Sequence, residues 1–504
     1  MIRISDLESI TDKTDVSEII PKIMQLANPV LNKRQELQKK YSRDANDSNL
    51  MYSSNADKTI ISYEKFLTDI SAGYLSGKPV YTIVDNGTPE KQQLISNILD
   101  TEMKDNKYKD EMKILMDYIS DYNDDETEHH DLVHDILELT SCYEVLYENE
   151  FNEVVYSKYN PLNTIALWDY STPANLIAIV RVWDEKDINE KISHRCEVTD
   201  KFGTKTYSVD EDYKEVSEID INNHNWGDVP AIAVETDYAI FEPCEDVISA
   251  FEQLIQNVRN TYQYNDSDCK LKFTNYMTDN PLFKTTFTTD ENGNEIEKRE
   301  INEDRVKEDE YVLKSKTLYV GEGGNVDWIV KPLDSNGAVE ILKVYTNLMF
   351  QLAGIPNTSD LAFNSTDLNA SAIDRKFYIM NMMTSNIISE LKKAYLRRWE
   401  LIFNRINLKK NTKYDFRDIR INLPKNLPAN DDEKIDSTLK KQGIISEQTI
   451  IEELGYNYLD EKNKKDIESQ ENILTNIENM KLLQDSGVTS EEATEEREVE
   501  TEEV

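Results

Sequence analysis

Two histidines four residues apart are the only candidate metal ligands that the sequence groups together. His130 and His134 lie in the segment HDLVH, which differs from the zinc-peptidase pattern HExxH by Asp131 in place of glutamate. That pattern needs the second residue as general base and a third metal ligand downstream. Asp131 is one methylene shorter, and no third ligand follows at the expected spacing. We therefore predict no metal site but an exposed helix start after a solvated acidic loop at 121–126, with a zinc hydrolase as the less favoured alternative.

No other residue pattern predicts catalysis or cofactor binding. The chain contains no GxxxxGK[ST] phosphate-binding loop, no GxGxxG dinucleotide fingerprint and no GxSxG nucleophile elbow. The glycines at 321–324 suit a turn between two strands, and they lack the lysine and the following helix that phosphate binding requires. The sequence therefore predicts a protein that is not an enzyme and that uses no cofactor.

The composition limits the class of partner. The 504 residues are enough for roughly three domains, and 97 acidic against 57 basic residues give a formal charge of −40. Because lysine and arginine supply most of the non-specific affinity for DNA, this charge argues against tight DNA binding. It argues equally against an anionic membrane surface. The charge suits a passage through which DNA slides without being trapped, and an ordinary acidic protein would have the same charge.

Cysteine spacing and apolar runs indicate the compartment. The four cysteines are widely spaced and form no CxxC pair, so we expect free thiols in a reducing compartment. The amino-terminal residues are polar and acidic, unlike a signal peptide. The longest apolar runs, such as 176–180, are too short to span a bilayer. We predict a soluble protein that is made in a cytoplasm and has no membrane partner.

A very long amphipathic helix is the main structural prediction. No glycine or proline occurs from 357 to 408, and a helix over 372–408 would be roughly 55 Å long at ~1.5 Å per residue. A shorter helix ends at Gly354, and a polar loop rich in Asn, Ser, Thr and Asp joins the two helices. Such a loop ahead of a rigid helix holds exposed residues at a fixed point. Apolar residues three or four apart predict the buried stripe of the long helix: Ile373, Phe377, Met380, Met383, Ile387, Leu391, Tyr395, Trp399 and Phe403.

The remaining pattern predicts helices beside strand-rich segments. Residues 1–80 are predicted to be helical and to lead into a strand over 80–84. Alternating residues bounded by Asn-Pro and Thr-Pro turns predict antiparallel strands within 131–183. Helices over 240–263 and 339–352 flank a β-rich insert. Its predicted strands are Phe283–Thr289, 311–320 and 326–330. The predicted fold class is therefore α+β.

Taken in order, these motifs resemble the siphophage-type portal proteins of tailed bacteriophages. The polar loop resembles the family pattern at Ile355-Pro356-Asn357, Ser359-Asp360, Phe363, Asn364-Ser365 and Ala370-Ser371-Ala372, although the family's Ser-Gly pair is absent. Further similar segments are Gly77-Lys78-Pro79-Val80, Tyr143-Glu144-Val145-Leu146-Tyr147, Arg181 and 443–449. The resemblance covers most of 55–460. It implies a portal-like fold, mainly α with long helices, an antiparallel β-containing wing and a small β-rich clip insert.

The resemblance also implies a division of the chain into the parts of a portal subunit. These parts would be, in order, a wing (1–240), a stem helix (241–274), a clip (275–335), a second stem helix (336–355), a tunnel loop (356–371), the long wing helix with its following segment (372–460), a crown helix (461–484) and a disordered acidic tail (485–504). The acidic composition of the last segment predicts disorder by itself.

The function implied by the resemblance is that of a homo-oligomeric ring at one capsid vertex, through which double-stranded DNA is packaged and ejected. The ring, of about twelve subunits, would dock the terminase large subunit, the major capsid and scaffold proteins, and a head-completion or adaptor protein. It would be found in the virion, and in the host cytoplasm during assembly. The tunnel-loop residues that would meet DNA are Phe363, Asn364, Ser365, Thr366, Asp367, Leu368 and Asn369. The alternative, from another class of function, is a structural scaffold protein that has no channel.

Overall fold

The computed structural model describes most of the chain as an α+β fold, in agreement with the predicted class. The described residues are 1–4, 19–42, 61–83, 106–186, 190, 192–210, 213–214, 216–268, 270–274, 280–289, 295–314, 323–329, 335–357, 375–426 and some of 440–468. Of the predicted crown helix, 461–462 and 464–468 are helical, and the predicted disordered tail lies outside the described residues.

The amino-terminal part combines four helices with two short strands among its described residues. They are β1 (Ile2–Arg3), α1 (Ile19–Ser42), α2 (Tyr63–Leu75), β2 (Val80–Ile83), α3 (Asn106–Tyr122) and α4 (Asp125–Leu139). The helical prediction for 1–80 is wrong at β1, because Ile2 pairs in parallel with Leu167, a partner distant in sequence. The strand predicted at 80–84 is confirmed as β2. Gly77, between α2 and β2, lies so close to the Pro424 carbonyl that a Cβ would collide with it.

Two sheets follow. Their strands are β3 (Ser141–Glu148), β4 (Val154–Tyr159), β5 (Thr164–Trp168), β6 (Leu176–Lys186), β7 (Ile192–Asp200), β8 (Gly203–Val209), β9 (Val216–Asn223) and β10 (Ala231–Glu235). One sheet has the order β1-β5-β6-β7-β8-β9 and the other β10-β3-β4, with every pair antiparallel except β1 with β5. The antiparallel strands predicted within 131–183 are thus confirmed. Helix α1 covers one face of the larger sheet, and Ile20, Met24 and Leu31 contribute to that core.

A helix, a β-rich insert and a second helix come next, in the predicted order. They comprise α5 (Glu245–Asp268), β11 (Lys270–Thr274), β12 (Phe283–Thr289), β13 (Glu295–Ile301), α6 (Glu303–Lys314), β14 (Asn325–Ile329) and α7 (Ser335–Ala353). The strand predicted at 311–320 is wrong for 311–314, which end α6, and 315–320 lie outside the described residues. Acidic residues in the first turn of α6 and an Arg305–Asp309 ion pair of 3.0 Å one turn apart favour helix there.

The long helix α8 (Tyr378–Lys410) crosses the core and is followed by β15 (Ile419–Asn422), which pairs with β2. Its buried stripe is confirmed, because Met380, Leu391, Tyr395, Trp399 and Phe403 are each at most 1% exposed. Ile373 lies outside the described residues. Cys142, Cys196 and Cys244 are free and buried thiols, as predicted, and Cys269 is not among the described residues. None of the helices in the described ranges is both long and apolar enough to cross a membrane.

Candidate functional site: the paired helices and the anchored long helix

Helices α5 and α7 form a hairpin that carries the β-rich insert. Helix α5 leads into β11, β14 leads back to α7, and the two strands pair antiparallel from Lys270 opposite Ile329 to Thr274 opposite Asn325. The helices pack against each other, with Ile248 and Phe251 of α5 and Met349 and Phe350 of α7 in the core. Because the chain runs from α5 into the insert and back into α7, the insert lies at one end of this helix pair. We call α5 and α7 together the stalk.

Helix α7 also has apolar side chains that the described residues cover only in part. Ile341, Val344, Leu348 and Leu352 recur at steps of three and four residues along one side of α7, and each is at least 36% exposed. They are joined at the start of α8 by the exposed Tyr378, Ile379 and Met382. We call these seven residues the α7–α8 apolar surface. Val344 is 64% exposed and Tyr378 is 61% exposed. Because soluble proteins rarely expose contiguous apolar areas of this kind without a use, the surface has the character of a protein–protein contact.

A glycine at the end of α7 brings the two halves of that surface together. Gly354 has φ +69°, the left-handed conformation that ends many helices. The Ile355 N–H donates to the Phe350 carbonyl at 2.9 Å, which satisfies the last turn. A Cβ at Gly354 would collide with the sulfur of Met383 and would lie 3.5 Å from Ile379. The end of α7 therefore lies directly against the start of α8.

The insert at the far end of the hairpin has its own exposed apolar residues. Strands β12 and β13 pair over their whole length, and α6 is tied to them by a Lys284–Asp304 ion pair of 3.0 Å. On one face of the strand pair, Phe283 lies opposite Ile301, and Phe287 lies four residues further along the same face. All three side chains are more than half exposed. A two-stranded sheet is marginal alone, so this module favours a further contact.

The predicted tunnel-loop residues, Phe363 to Asn369, lie outside the described residues. The described chain before the loop ends just after α7, where the Asn357 side chain donates to Asn347 at 3.2 Å. The described chain after the loop begins at Arg375 and Lys376, just ahead of α8. The described chain on either side of the loop therefore lies at the α7–α8 apolar surface.

The long helix is anchored to the amino-terminal part of the chain by a buried arginine. Arg398 donates through Nη1 to Asp125 Oδ1 at 2.7 Å and to Glu144 Oε2 at 3.2 Å, and through Nη2 to the Tyr81 hydroxyl at 3.0 Å. Its guanidinium also lies over the Tyr395 and Tyr156 rings, 4.1 and 4.4 Å from their centroids. One cation thus joins α8 to β2, α4, β3 and β4.

Burial controls the protonation of the acids around that arginine. Asp125 holds the guanidinium more closely than Glu144 does, and burial raises the pKa of Glu144 to about 8 despite the attraction of Arg398. Burial likewise raises the pKa of Glu128 to about 7. His129 contacts the Tyr395 hydroxyl through Nδ1 at 2.7 Å, and burial lowers its pKa to about 4, so the ring is neutral. Burial therefore favours the neutral form of Glu144 up to a higher pH than an exposed glutamate would keep it.

Two further arginines on α8 strengthen the attachment. Arg405 makes a two-pronged ion pair with Glu148 of β3, at 2.7 Å from Nε and 2.8 Å from Nη2. Arg397 donates to Asp228 at 3.0 Å and to the Ala231 carbonyl at 3.3 Å. Such forked contacts fix orientation as well as position. The carboxyl-terminal half of α8 is thereby held to the three-stranded sheet.

The histidine pair does not form a metal site in the part of the chain that is described. The His130 and His134 rings stack at 6.4 Å, and His134 Nε2 faces the Tyr41 hydroxyl at 3.2 Å and Asp69 at 3.4 Å. Among the described residues, no three His, Cys, Asp or Glu side chains are grouped to hold a metal ion. The solvated acidic loop predicted at 121–126 is wrong except at 123–124, because 121–122 end α3 and 125–126 begin α4. The predicted exposed helix start is wrong at Asp125, which is buried against Arg398.

Sequence reasoning missed this buried cluster. The only signals available were a glutamate inside a buried strand, at Glu144, and an arginine inside the apolar stripe of α8, at Arg398. Either residue is explained equally well by an exposed position, since charged residues are mostly exposed. Only the packing of α8 against β3 shows that Arg398 and Glu144 are partners.

Comparisons with known proteins give one family match. The model of the family described as "Phage portal protein, SPP1 Gp6-like" matches residues 13–474. Chains of solved structures also match, 87 in all. One belongs to the structure titled "Neck of native GTA particle computed with C12 symmetry"; it is 8% identical, the match covers 78% of this chain and 89% of that chain, and the TM-score is 0.33. No curated protein matches the sequence.

Proposed function

The chain belongs to the phage portal protein family, and we propose that it assembles into a closed ring whose axial channel passes double-stranded DNA. About twelve subunits would be related by rotational symmetry, each using one surface to contact the next subunit and another to contact the previous one. The ring would form in the host cytoplasm and would occupy one capsid vertex of the virion. Because the family is structural, we propose no catalytic activity for this chain.

The α7–α8 apolar surface is the observation that carries the ring proposal. Its residues are apolar yet at least 36% exposed in the single chain, and the end of α7 contacts the start of α8 at Gly354. Burying these residues against a neighbouring subunit would gain roughly 25 cal/mol per Å² of apolar area. The surface lies along a helical stalk, so a neighbour packed there would align its own stalk beside it. Repetition of that contact around an axis would enclose a space lined by helices.

The charges of the stalk suit the passage of DNA. By sequence, helix α5 has five acidic residues and a single basic residue, Arg259, and α7 has one of each. Of the acids of α5, Glu252 is buried and Glu245 pairs with Lys40 at 2.8 Å. If α5 and α7 line the channel, DNA phosphates meet few cations that could replace their counterions, so binding remains weak. Contacts to phosphates would position the duplex without reading its sequence. The duplex would therefore slide through the ring instead of stalling in it.

The tunnel loop would supply the close contacts to DNA. We propose that Asn364, Ser365, Thr366 and Asn369 offer neutral hydrogen bonds to phosphates and that Phe363, Asp367 and Leu368 complete the loop. The anchoring of α8 by Arg397, Arg398 and Arg405 supports this role, because the loop leads into a helix whose far end is fixed. The loop would then have a stable base from which to meet a moving duplex.

The other parts of the subunit would serve docking. We propose a wing (1–240), two stem helices (241–274 and 336–355), a clip (275–335), a tunnel loop (356–371), the long wing helix with its following segment (372–460), a crown helix (461–484) and an acidic tail (485–504). The exposed Phe283, Phe287 and Ile301 make the clip a suitable contact for terminase or for the head-completion protein. Capsid and scaffold proteins would contact the wing.

The particle mass of the purified protein, with negative-stain images of the same sample, tests the ring. We expect rings of about a dozen subunits around a central hole, and a monodisperse monomer or dimer across salt and protein concentrations would refute the proposal.

A pair of variants tests the α7–α8 apolar surface. Val344→Asp introduces a charge into the surface and should shift the mass towards the monomer. The matched control, Asn336→Asp, introduces the same charge on an exposed residue near the start of the same helix, outside this surface, and should leave the ring intact. Loss of the ring in both variants, or in neither, would contradict the assignment of this surface.

A further inference from the structure

An exposed row of apolar side chains runs along α3, far in sequence from the stalk. Ile114, Tyr118 and Tyr122 recur at every fourth residue, which places them on one side of the helix. They are 58%, 57% and 48% exposed. The Tyr118 and Tyr122 rings stack with centroids 6.1 Å apart and planes 15° from parallel. These side chains are available to a partner rather than to the core.

The turn between β3 and β4 adds a fourth side chain to this row. Phe151 lies at the tip of the turn and is 80% exposed. Asn149 fixes the backbone around it, because its Oδ1 accepts from the Phe151 N–H at 3.0 Å and from the Glu153 N–H at 2.9 Å. Phe151 is therefore held in the solvent by an ordered turn. We call Ile114, Tyr118, Tyr122 and Phe151 the aromatic platform.

Hydrogen bonds tie the turn to the helix and make the platform rigid. The Tyr118 hydroxyl donates to Glu153 Oε1 at 3.2 Å, and Asn149 Nδ2 donates to the Tyr122 hydroxyl at 3.0 Å and to Glu153 Oε2 at 2.9 Å. Both tyrosine rings are thus fixed before any partner arrives. Rigid aromatic groups give binding energy at a small entropic cost, which is why they act as anchors of protein interfaces.

The charges around the platform define the partner. Glu111 and Asp121 are exposed on the same side of α3, and Glu150 is exposed beside Phe151. Lys78 lies 4.0 Å from Asp121 in an exposed ion pair, so the acids still outnumber the base here. An acidic surface repels DNA and anionic membranes, and a second copy of this chain would bring the same acids and a charge of −40. Lysine and arginine, in contrast, can lay their apolar stems on aromatic rings while their charges face the carboxylates.

We infer that the aromatic platform is a docking site for a basic amphipathic segment of another protein, with aliphatic side chains on the rings and lysine or arginine over the surrounding acids. The platform shares no residue with the α7–α8 apolar surface or with the residues proposed to meet DNA. Electrostatic attraction would speed the encounter, and the aromatic contacts would retain the bound segment.

A labelled synthetic helix of leucine and lysine is the probe, and fluorescence anisotropy with the full-length assembled protein is the assay. We expect the peptide to bind and its leucine–glutamate counterpart not to bind. Tyr118→Ser combined with Phe151→Ser should weaken binding by about tenfold or more. The matched control, Tyr170→Ser combined with Phe202→Ser, removes two aromatic side chains exposed elsewhere and should bind as the unmodified protein does.

Three results would overturn the inference. The first is that the platform variant binds the lysine peptide with unchanged affinity. The second is an equal loss in the control variant, which would mean attraction to the net charge alone. The third is a changed particle mass of the platform variant, which would mean that the platform contacts another copy of this chain. Phe151→Ser alone, at a side chain with almost no packing, should also weaken binding and serves if the double variant does not fold.

Discussion

Replacement of Glu144 by glutamine should stabilise the protein in alkaline solution. Glu144 is fully buried in the described structure, and its pKa of about 8 lies above the usual 4.5. The folded chain therefore binds the proton more tightly than the unfolded chain does. The stabilisation that the protonated Glu144 gives to the folded chain is complete below pH 4.5. It decreases as the pH rises and is lost above the pKa of Glu144 in the folded chain. A glutamine side chain at this position would be neutral at every pH and would still accept from Arg398.

The size of the effect follows from the pKa difference. A shift from 4.5 to about 8 corresponds to about 5 kcal/mol over the whole range, at ~1.36 kcal/mol per unit. Between pH 6 and pH 9 the unfolded acid is already ionised, so the wild-type protein should lose about 3 kcal/mol of unfolding free energy from this group. Glu144→Gln should be close to wild type at pH 6 and about 3 kcal/mol more stable at pH 9.

Urea unfolding at the two pH values, followed by circular dichroism, measures this difference. Glu126→Gln is the matched control, because Glu126 is an exposed acid on α4, the helix that also supplies Asp125. The control should follow the wild-type pH dependence. A Glu144→Gln variant that is destabilised equally at pH 6 and pH 9 would refute the reasoning, because it would show that an ionised Glu144 is the partner of Arg398.

Two further predictions concern α8 and its contacts. Arg398→Met removes the cation from beside two buried carboxyl groups and should cost about 3–5 kcal/mol in urea unfolding; a neutral result would show that the acids are protonated without it. Gly354→Ala forces a side chain into a left-handed conformation and against Met383, so it should cost about 1–3 kcal/mol. Gly73→Ala, inside α2 and with open space around it, should instead gain roughly 0.5–1 kcal/mol. Equal effects of the two glycine substitutions in calorimetry would contradict this account.

Periodicity was sufficient to predict the elements whose own residues determine them. The stripe from Phe377 to Phe403 identified α8 because one face of that helix is apolar. The segments around Tyr143 and Ile165 were identified as strands by the turn residues that bound them, although the fold buries both faces of these strands. The hairpin of α5 and α7 was predictable for the same reason as α8. These are local patterns that need no knowledge of the rest of the chain.

What was not predictable depends on partners distant in sequence. Ile2 becomes a strand residue only because Leu167 lies beside it, and Asp125 is buried only because Arg398 reaches it across the core. Residues 311–314 have a composition that suits either a strand or a helix. The ion pairs one helical turn apart in α6, Arg305 with Asp309 and Lys314 with Glu310, favour the helix. The tunnel-loop residues Phe363 to Asn369 remain a prediction.

The unequal burial of the two halves of α8 has a mechanical consequence. From Leu391 to Phe403 the helix is enclosed by the core and held by arginines. Between Tyr378 and Glu390 it is covered on one side only, where Met380 and Thr384 are buried and the Tyr74 hydroxyl donates to Asn381 at 2.9 Å. The helix is therefore fastened near both ends, more firmly in its carboxyl-terminal half, and should move as a rigid rod. A displacement of its amino-terminal end would reach the buried cluster around Arg398, roughly 30 Å away at ~1.5 Å per residue. In the proposed ring, a force exerted on the preceding loop by a passing duplex would follow this path.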